Sequence, residues 1–289
     1  MKFVDTNEER GLSGTCAPAR RTRQVNDTSV RFNDGAGYEE LMGRWSQLAG
    51  QQFLDWLCPE PGRSWLDVGC GNGAFTELVV QRCEPGIVHG IDPSVPQIEY
   101  ARARPGAAGV EFHVGDGMHL PFPDGHFDIV VSALVLFFVP DPVQSLREMV
   151  RVTKPGGIVA TYLWNFPGRG FPLEPILAAF RSIGREPPGP PHPEVSAMPA
   201  LRELWSDAGL TEVRVHEISV QRGFPTAEAF WTSIQSGGST PMAINALSDD
   251  ERNRLKRHFL ESFPVEGPLS PSASANAVSG RVPHRTPQA

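Results

Sequence analysis

The sequence predicts an α/β fold, a mostly parallel β-sheet with helices on both faces. Three observations predict it. Short apolar segments alternate with segments of helical period from Ser64 to Leu163, the pattern of repeated strand–helix units. Phe127 to Ser132 is apolar almost throughout, as a strand covered on both faces must be. Between Val68 and Ala74 a strand runs into a glycine-rich turn that opens a helix.

The elements follow in order. Met42, Trp45, Leu48, Ala49, Phe53 and Trp56 form a helical stripe that starts at Tyr38 and ends at Cys58-Pro59. Strands are expected at Ser64–Val68, Ile87–Ile91, Val110–Val114, Phe127–Ser132 and Ile158–Leu163. Helices are expected at Ala74–Gln81, Val95–Arg104 and Val143–Val150, the last ended by Lys154-Pro155-Gly156-Gly157. The third strand alternates apolar and polar residues, as an edge strand does. Beyond it, Leu173–Ser182 is a candidate helix, and Gly209 caps another around Leu201–Ala208. A strand starts at Val213. Its apolar phase switches from Val213 and Val215 to Ile218 and Val220, which predicts a bulge near Glu217. Two helices follow, around Ala227–Gln235 and from Ser248, where Ser248-Asp249-Asp250-Glu251 reads as a capping box. Residues 267–282 read as a weak last strand or as a disordered tail. Residues 1–30 and 283–289 read as disordered tails around a single domain over 31–282.

Composition excludes several classes. The chain has 289 residues, of which 40% are hydrophobic and 20% charged, so whole-chain disorder is excluded. A net charge of −7 argues against a protein that grips phosphate backbones, so no nucleic-acid partner is expected. The longest apolar run, Phe127–Val139, is interrupted and too short for a bilayer span. The N-terminus shows no apolar signal core. The four cysteines show neither paired nor metal-ligand spacing, so no metal is expected and a reducing cytoplasm is the expected location.

The chemistry centres on Leu66-Asp67-Val68-Gly69-Cys70-Gly71-Asn72-Gly73. Glycines allow positive φ and close approach of a ligand, and helix-start N–H groups are expected to face that ligand. The same spacing also fits a dinucleotide site. Asp67 suits a cationic amine better than a pyrophosphate. Asp92, at the end of the second strand, can accept both hydroxyls of a ribose, a feature that dinucleotide folds share. Asp116, after the third strand, could accept an adenine amine, with Met118 against the ring.

With these residues, the chain resembles the class I S-adenosylmethionine-dependent methyltransferases, and most closely small-molecule enzymes of the ubiquinone-biosynthesis type. The resemblance also rests on Gly90-Ile91-Asp92-Pro93-Ser94, Gly115-Asp116, Leu120-Pro121-Phe122-Pro123-Asp124, Phe127–Ser132 and Lys154–Gly157, which occur in the family's order. It implies a Rossmann-like seven-stranded sheet of order 3-2-1-4-5-7-6 with an antiparallel last strand. That order favours the strand reading of 272–282 and makes 221–268 a helical insertion near the site's mouth. It implies S-adenosylmethionine as cofactor, a small-molecule acceptor, and Asp67, Gly69, Cys70 and Gly71 at the methionine part. Asp92, Pro93 and Gln97 would face the ribose, Asp116, Gly117 and Met118 the adenine, and Ser132 would lie under the sulfonium.

Phe137 stands where many members carry a polar residue, often His or Asn. No Asn/Asp-Pro-Pro-aromatic sequence follows the fourth strand, which weakens a reading as a nucleic-acid or protein amine methylase. His119 is the remaining catalytic candidate, at the pocket rim. His113 and His126 are expected to be solvated, and Cys70 to be a small residue that fits the turn. Tyr38, Met42, Trp45, Phe137, Trp164 and Trp231 are the candidate walls of an acceptor pocket. The reading is a methyltransferase for a small, partly apolar acceptor. Its competitors are an NAD-dependent oxidoreductase and a catalytically silent cofactor-binding protein.

Overall fold

The computed structural model describes residues 42–235 and 239–284. Tyr38, the expected tail over 1–30 and residues 285–289 lie outside the described residues. Seven strands form one sheet of order β3-β2-β1-β4-β5-β7-β6. Strands β1 (Ser64–Val68), β2 (Ile87–Asp92), β3 (Glu111–Val114), β4 (Phe127–Ala133) and β5 (Thr153–Trp164) are joined by parallel pairings. Strand β7 (Ser272–Arg281) runs antiparallel between β5 and β6 (Thr211–Gln221). Residues 272–281 are therefore a strand and not a tail, and β3 is an edge.

Among the described residues, six α-helices precede β6 or connect the strands before it: α1 (Arg44–Leu57), α2 (Ala74–Cys83), α3 (Val95–Arg102), α4 (Pro142–Val152), α5 (Glu174–Ser182) and α6 (Met198–Asp207). Between β6 and β7 lie α7 (Ala227–Ile234), α8 (Ser239–Asn245) and α9 (Asp249–Glu261). Helix α8 is additional to the two expected there. The Asp141 carboxylate starts α4 by accepting from the Gln144 N–H at 2.9 Å. The reciprocal Ser248–Glu251 capping box starts α9. Gly209, with φ of 78°, ends the turn after α6.

Two local expectations are corrected. The Lys154–Gly157 run does not precede β5 but loops out within it. Thr153 pairs with Phe127, and the next pair is Ile158 with Ile129. In β6 the ladder is continuous from Arg214 to Gln221, and the irregularity lies at Thr211–Arg214, not near Glu217. The apolar phase switches because helices α1 and α6 both cover this strand. Trp56 of α1 stacks on His216 at 5.6 Å, which places α1 over the face that also carries Ile218 and Val220. Val213 and Val215 occupy the other face.

Parallel pairing brings the carboxyl ends of β1 to β5 to one edge, where open α/β sheets hold ligands. Among the described residues no helix is long and apolar enough to cross a membrane.

The last strand is locked under α6. The buried Trp205 indole donates to the Val159 carbonyl of β5 at 3.0 Å. A Cβ at Gly280 would stand 2.9 Å from the Leu210 Cβ and 3.1 Å from the Trp205 ring. Gly280→Val is expected to lower unfolding free energy by about 1–3 kcal/mol through overpacking. Urea denaturation checks this, and an unchanged midpoint would mean that β7 is not packed under that helix.

Candidate active site

A cavity of about 800 Å³ opens at the carboxyl ends of the parallel strands. From the β3–β2–β1 half of the sheet, its wall takes Gly69, Cys70, Gly71 and Asn72, then Asp92, Pro93 and Gln97, and Asp116 with Gly117. From the β4–β5 half it takes Val135, Phe137, Phe138, Tyr162, Trp164, Phe166 and Phe171. Met42 just before α1, Phe75 of α2 and Thr240 of α8 also line it.

The glycine turn is held from several directions. Gly69 has φ of 76°, and a Cβ there would stand 2.5 Å from Val135, so the turn after β1 touches the turn after β4 directly. Gly71 has φ of 52°, and a Cβ there would meet nothing within 4 Å. The turn's N–H groups are largely used internally. Gly69 and Cys70 donate to the Ile91 carbonyl, Gly73 to the Cys70 carbonyl, Ala74 to the Asn72 side chain and Gly71 to Asp92. The turn itself, up to Ala74, therefore leaves few N–H groups for a ligand. A pyrophosphate needs such N–H groups, so the turn is poorly suited to a dinucleotide. Arg104, the wall's one arginine, braces the turn, donating to the Asn72 carbonyl at 2.6 Å and to Glu77 at 2.7 Å.

Three carboxylates end the first three strands. Asp92 is on the wall. Its Oδ2 accepts from the Gly71 N–H at 3.0 Å and its Oδ1 from the Ser94 N–H at 2.8 Å. Burial raises its pKa. Asp116 is also on the wall and accepts from the Met118 N–H at 2.9 Å. Asp67 is not on the wall; it lies buried behind the turn. Its Oδ2 accepts from the Thr76 hydroxyl at 2.6 Å, its Oδ1 has no hydrogen-bond partner, and burial pushes its pKa up to about 7. Burial also pushes the Cys70 thiol up, with Asp67 and Asp92 adding to it, so Cys70 is a neutral wall residue.

Several predicted site residues stand elsewhere. Trp45 is fully buried in the core face of α1 and does not reach the cavity. Trp231 packs on Phe259, with the Lys256 ammonium 5.9 Å from its ring, inside the α7–α9 layer. In both cases helical period identified a buried stripe, which core packing explains. Ser132 is buried in β4 behind the wall, and its carbonyl accepts from the Thr161 hydroxyl. Met118 is turned off the wall, and its carbonyl accepts from Gln144. His119 projects to solvent with 79% of its side chain exposed, Nδ1 3.4 Å from Asp116. Conversely, Phe75, Phe138 and Tyr162 line the cavity without having been singled out. Tyr162 carried a usable signal, since it precedes Trp164 by two residues and so shares its face of β5.

The donor set fits S-adenosylmethionine. The wall's acids outnumber its single arginine, which is already engaged, and a buried carboxylate oxygen lacks a partner beside the turn. An unpaired buried charge is costly unless a cation or donor reaches it. Asp67 carries a pH signature in the ligand-free protein. Its folded-state pKa lies above the unfolded value, so between about pH 4 and 7 the folded state holds a proton that the unfolded chain has released. Stability then falls as pH rises through that window. Asp67→Asn is expected to flatten that slope and to raise stability at pH 8 by on the order of 2–4 kcal/mol. Urea titrations at pH 5 and 8 test it, and equal slopes in both proteins would contradict it.

Comparison with known proteins identifies the family. A family model described as a methyltransferase domain matches residues 66–161. Nocamycin O-methyltransferase of Saccharothrix syringae is 30% identical over 281 residues, spanning 87% of this chain and 97% of its own. The ubiquinone/menaquinone biosynthesis C-methyltransferase UbiE of Ruegeria sp. is 35% identical over 191 residues, 64% of this chain and 70% of its own. A solved putative methyltransferase from Bacillus halodurans shares the fold, with a TM-score of 0.56 and 16% identity over 81% of this chain and 99% of its own. With a relative matched over nearly its whole length and a sheet of order 3-2-1-4-5-7-6, the chain belongs to the class I S-adenosylmethionine-dependent methyltransferases, of the small-molecule type.

Proposed function

We propose that this enzyme methylates a small, partly apolar acceptor held against the β4–β5 half of the cavity, by alignment and exclusion of water and without a dedicated protein base. One observation carries the reading. The cavity is continuous from the glycine turn to a wall of Phe137, Phe138, Tyr162, Trp164, Phe166 and Phe171. Among the described wall residues of that half, Tyr162 is the one with an ionisable side chain, and no histidine or lysine lines the cavity. A volume of this size lies in the upper part of the roughly 300–1,000 Å³ range of small-molecule sites.

Asp92 would accept the ribose hydroxyls on lone pairs left by its two backbone bonds, and Asp116 would take the adenine side. The turn at Gly69–Gly71 would pass the methionine part, with the Asp67 carboxylate answering its cationic amine. When bound, S-adenosylmethionine supplies a methyl group already activated by a sulfonium. The chain's own task is then to orient the acceptor and keep water out. Aligned intramolecular reactions gain on the order of 7–11 kcal/mol from that alone, whereas general base catalysis adds about 10²–10⁴-fold. The aromatic wall would present flat faces to an acceptor ring or apolar chain. Helices α7 to α9, inserted between β6 and β7, would cover the mouth, where Thr240 of α8 already lines the wall.

Asp92→Ala is expected to weaken S-adenosylhomocysteine binding about 10- to 100-fold, the loss of a charge-assisted acceptor worth about 1.5–3 kcal/mol. Calorimetry reads the change, and an effect under twofold would confine Asp92 to bracing the turn. His119 is solvent-facing, so His119→Ala is expected to lower the single-turnover rate by less than about tenfold. Turnover on a panel of phenols, carboxylic acids and quinol precursors supplies the acceptor for that measurement. A loss near a thousandfold with cofactor affinity unchanged would make His119 the base and overturn the proximity account.

A further inference from the structure

A second group of side chains, of different chemistry, lies toward the β3 edge of the sheet. His89 on β2 and Glu111 on β3 are register partners, and His113 follows Glu111 by two residues, so all three emerge on one face. His89 Nδ1 lies 3.0 Å from His113 Nε2 and 3.8 Å from a Glu111 carboxylate oxygen. The three ligand atoms all fall within 4.8 Å of one another, and none of these residues lines the cofactor cavity. We propose that His89, His113 and Glu111 bind a first-row divalent transition ion of the Zn²⁺ kind.

The donor set selects the ion. Two imidazole nitrogens and one carboxylate suit Zn²⁺ and its neighbours, whereas Mg²⁺ and Ca²⁺ prefer oxygen throughout. Two nitrogens held tetrahedrally at 2.0–2.1 Å from zinc stand about 3.3–3.4 Å apart, so the histidine pair needs to open by only a few tenths of an ångström. Glu111 is exposed and free to swing in by a similar amount. The two rings now meet end-on through a nitrogen-to-nitrogen hydrogen bond, which the ion would replace, each ring turning by roughly 35° to aim its nitrogen at a tetrahedral ion. They are parallel within 11° at 5.3 Å, and Phe122 and Phe127 stand edge-on to His89 at 5.7 and 5.3 Å. Phe122 also stands edge-on to His113 at 5.3 Å. Pre-placed ligands lose little conformational freedom on binding.

The ion would tie the four-residue edge strand β3 to β2. Those strands lead to Asp92 and, just beyond β3, to Asp116. The site thus braces the two carboxylates of the cofactor wall from behind without touching the cofactor.

The test titrates Zn²⁺ into the untagged, chelator-treated full chain by calorimetry, with Mg²⁺ as control. Hydrogen exchange of residues 111–114 is followed in parallel. The expected result is one Zn²⁺ per chain, silence with Mg²⁺, and slower exchange of β3 with zinc bound. His113→Ala is expected to lose affinity about 100-fold or more, beyond the 10–100-fold cost of losing an outer partner. Glu111→Gln, on an exposed position, should also bind more weakly while keeping wild-type thermal stability without metal. His126→Ala, whose ring centroid lies 6.4 Å from that of His89, should bind zinc as the parent does. Absence of stoichiometric zinc binding, or unchanged affinity in His113→Ala, overturns the proposal.

Discussion

The Asp92 carboxylate is the contact on which the cofactor half of the site depends. It sits at the end of β2 and holds the Gly71 N–H of one turn and the Ser94 N–H of the next. The first turn has glycines at 69, 71 and 73, each with positive φ, and few side chains with which to pin itself. Glycine loses the most backbone freedom on folding, so such a turn needs external bonds to hold one shape. Asp92 supplies them through the Gly71 N–H and Arg104 through the Asn72 carbonyl. The direct contact of Gly69 with Val135 then ties this half of the sheet to the β4 side.

That arrangement concentrates negative charge where the protein can least solvate it. Asp67 and Asp92 are both driven toward their neutral forms by burial, and among the described residues no buried arginine or lysine stands against Asp67. An ion pair would relieve this in a purely structural network. On the proposed reading that relief would come from the cationic amine of the cofactor, a pattern in which stability is sacrificed at a functional site. The same charge balance and the internally satisfied N–H groups of the turn disfavour a pyrophosphate-bearing cofactor, although the glycine spacing alone allows one.

The β4–β5 half of the cavity is built by different means. Its residues come from the turn after β4, the end of β5 and the segment behind it, where Phe137 meets Phe166 edge-on at 5.4 Å and Phe166 stacks on Phe171 at 4.7 Å. These rings support one another as a wall, and Tyr162 lines the same cavity while packing on Phe53 and Phe75. On the proposed reading, such a surface would select its acceptor by shape and apolar contact.

Strand–helix alternation was enough to predict a mostly parallel sheet and its edge strand, the family resemblance supplied the seven-strand order, and motif spacing marked the glycine turn. The physical reason is that alternation and motif spacing are local. A glycine that must take positive φ, a carboxylate at a strand end and an apolar run each act within a few residues. Side-chain direction across elements was not legible in the same way. Helical period marked Trp45 and Trp231 as large apolar residues on one stripe, but only packing decided that the stripes face the core. The switch of phase in β6 looked like a bulge until α1 and α6 were seen to cover the same strand. His113 read as a solvated edge residue, because nothing local to β3 announces that register places it 3.0 Å from His89. Sequence determined which residues stand at the strand ends. Tertiary structure decided which of them share a cavity, because that depends on contacts between segments far apart in the chain.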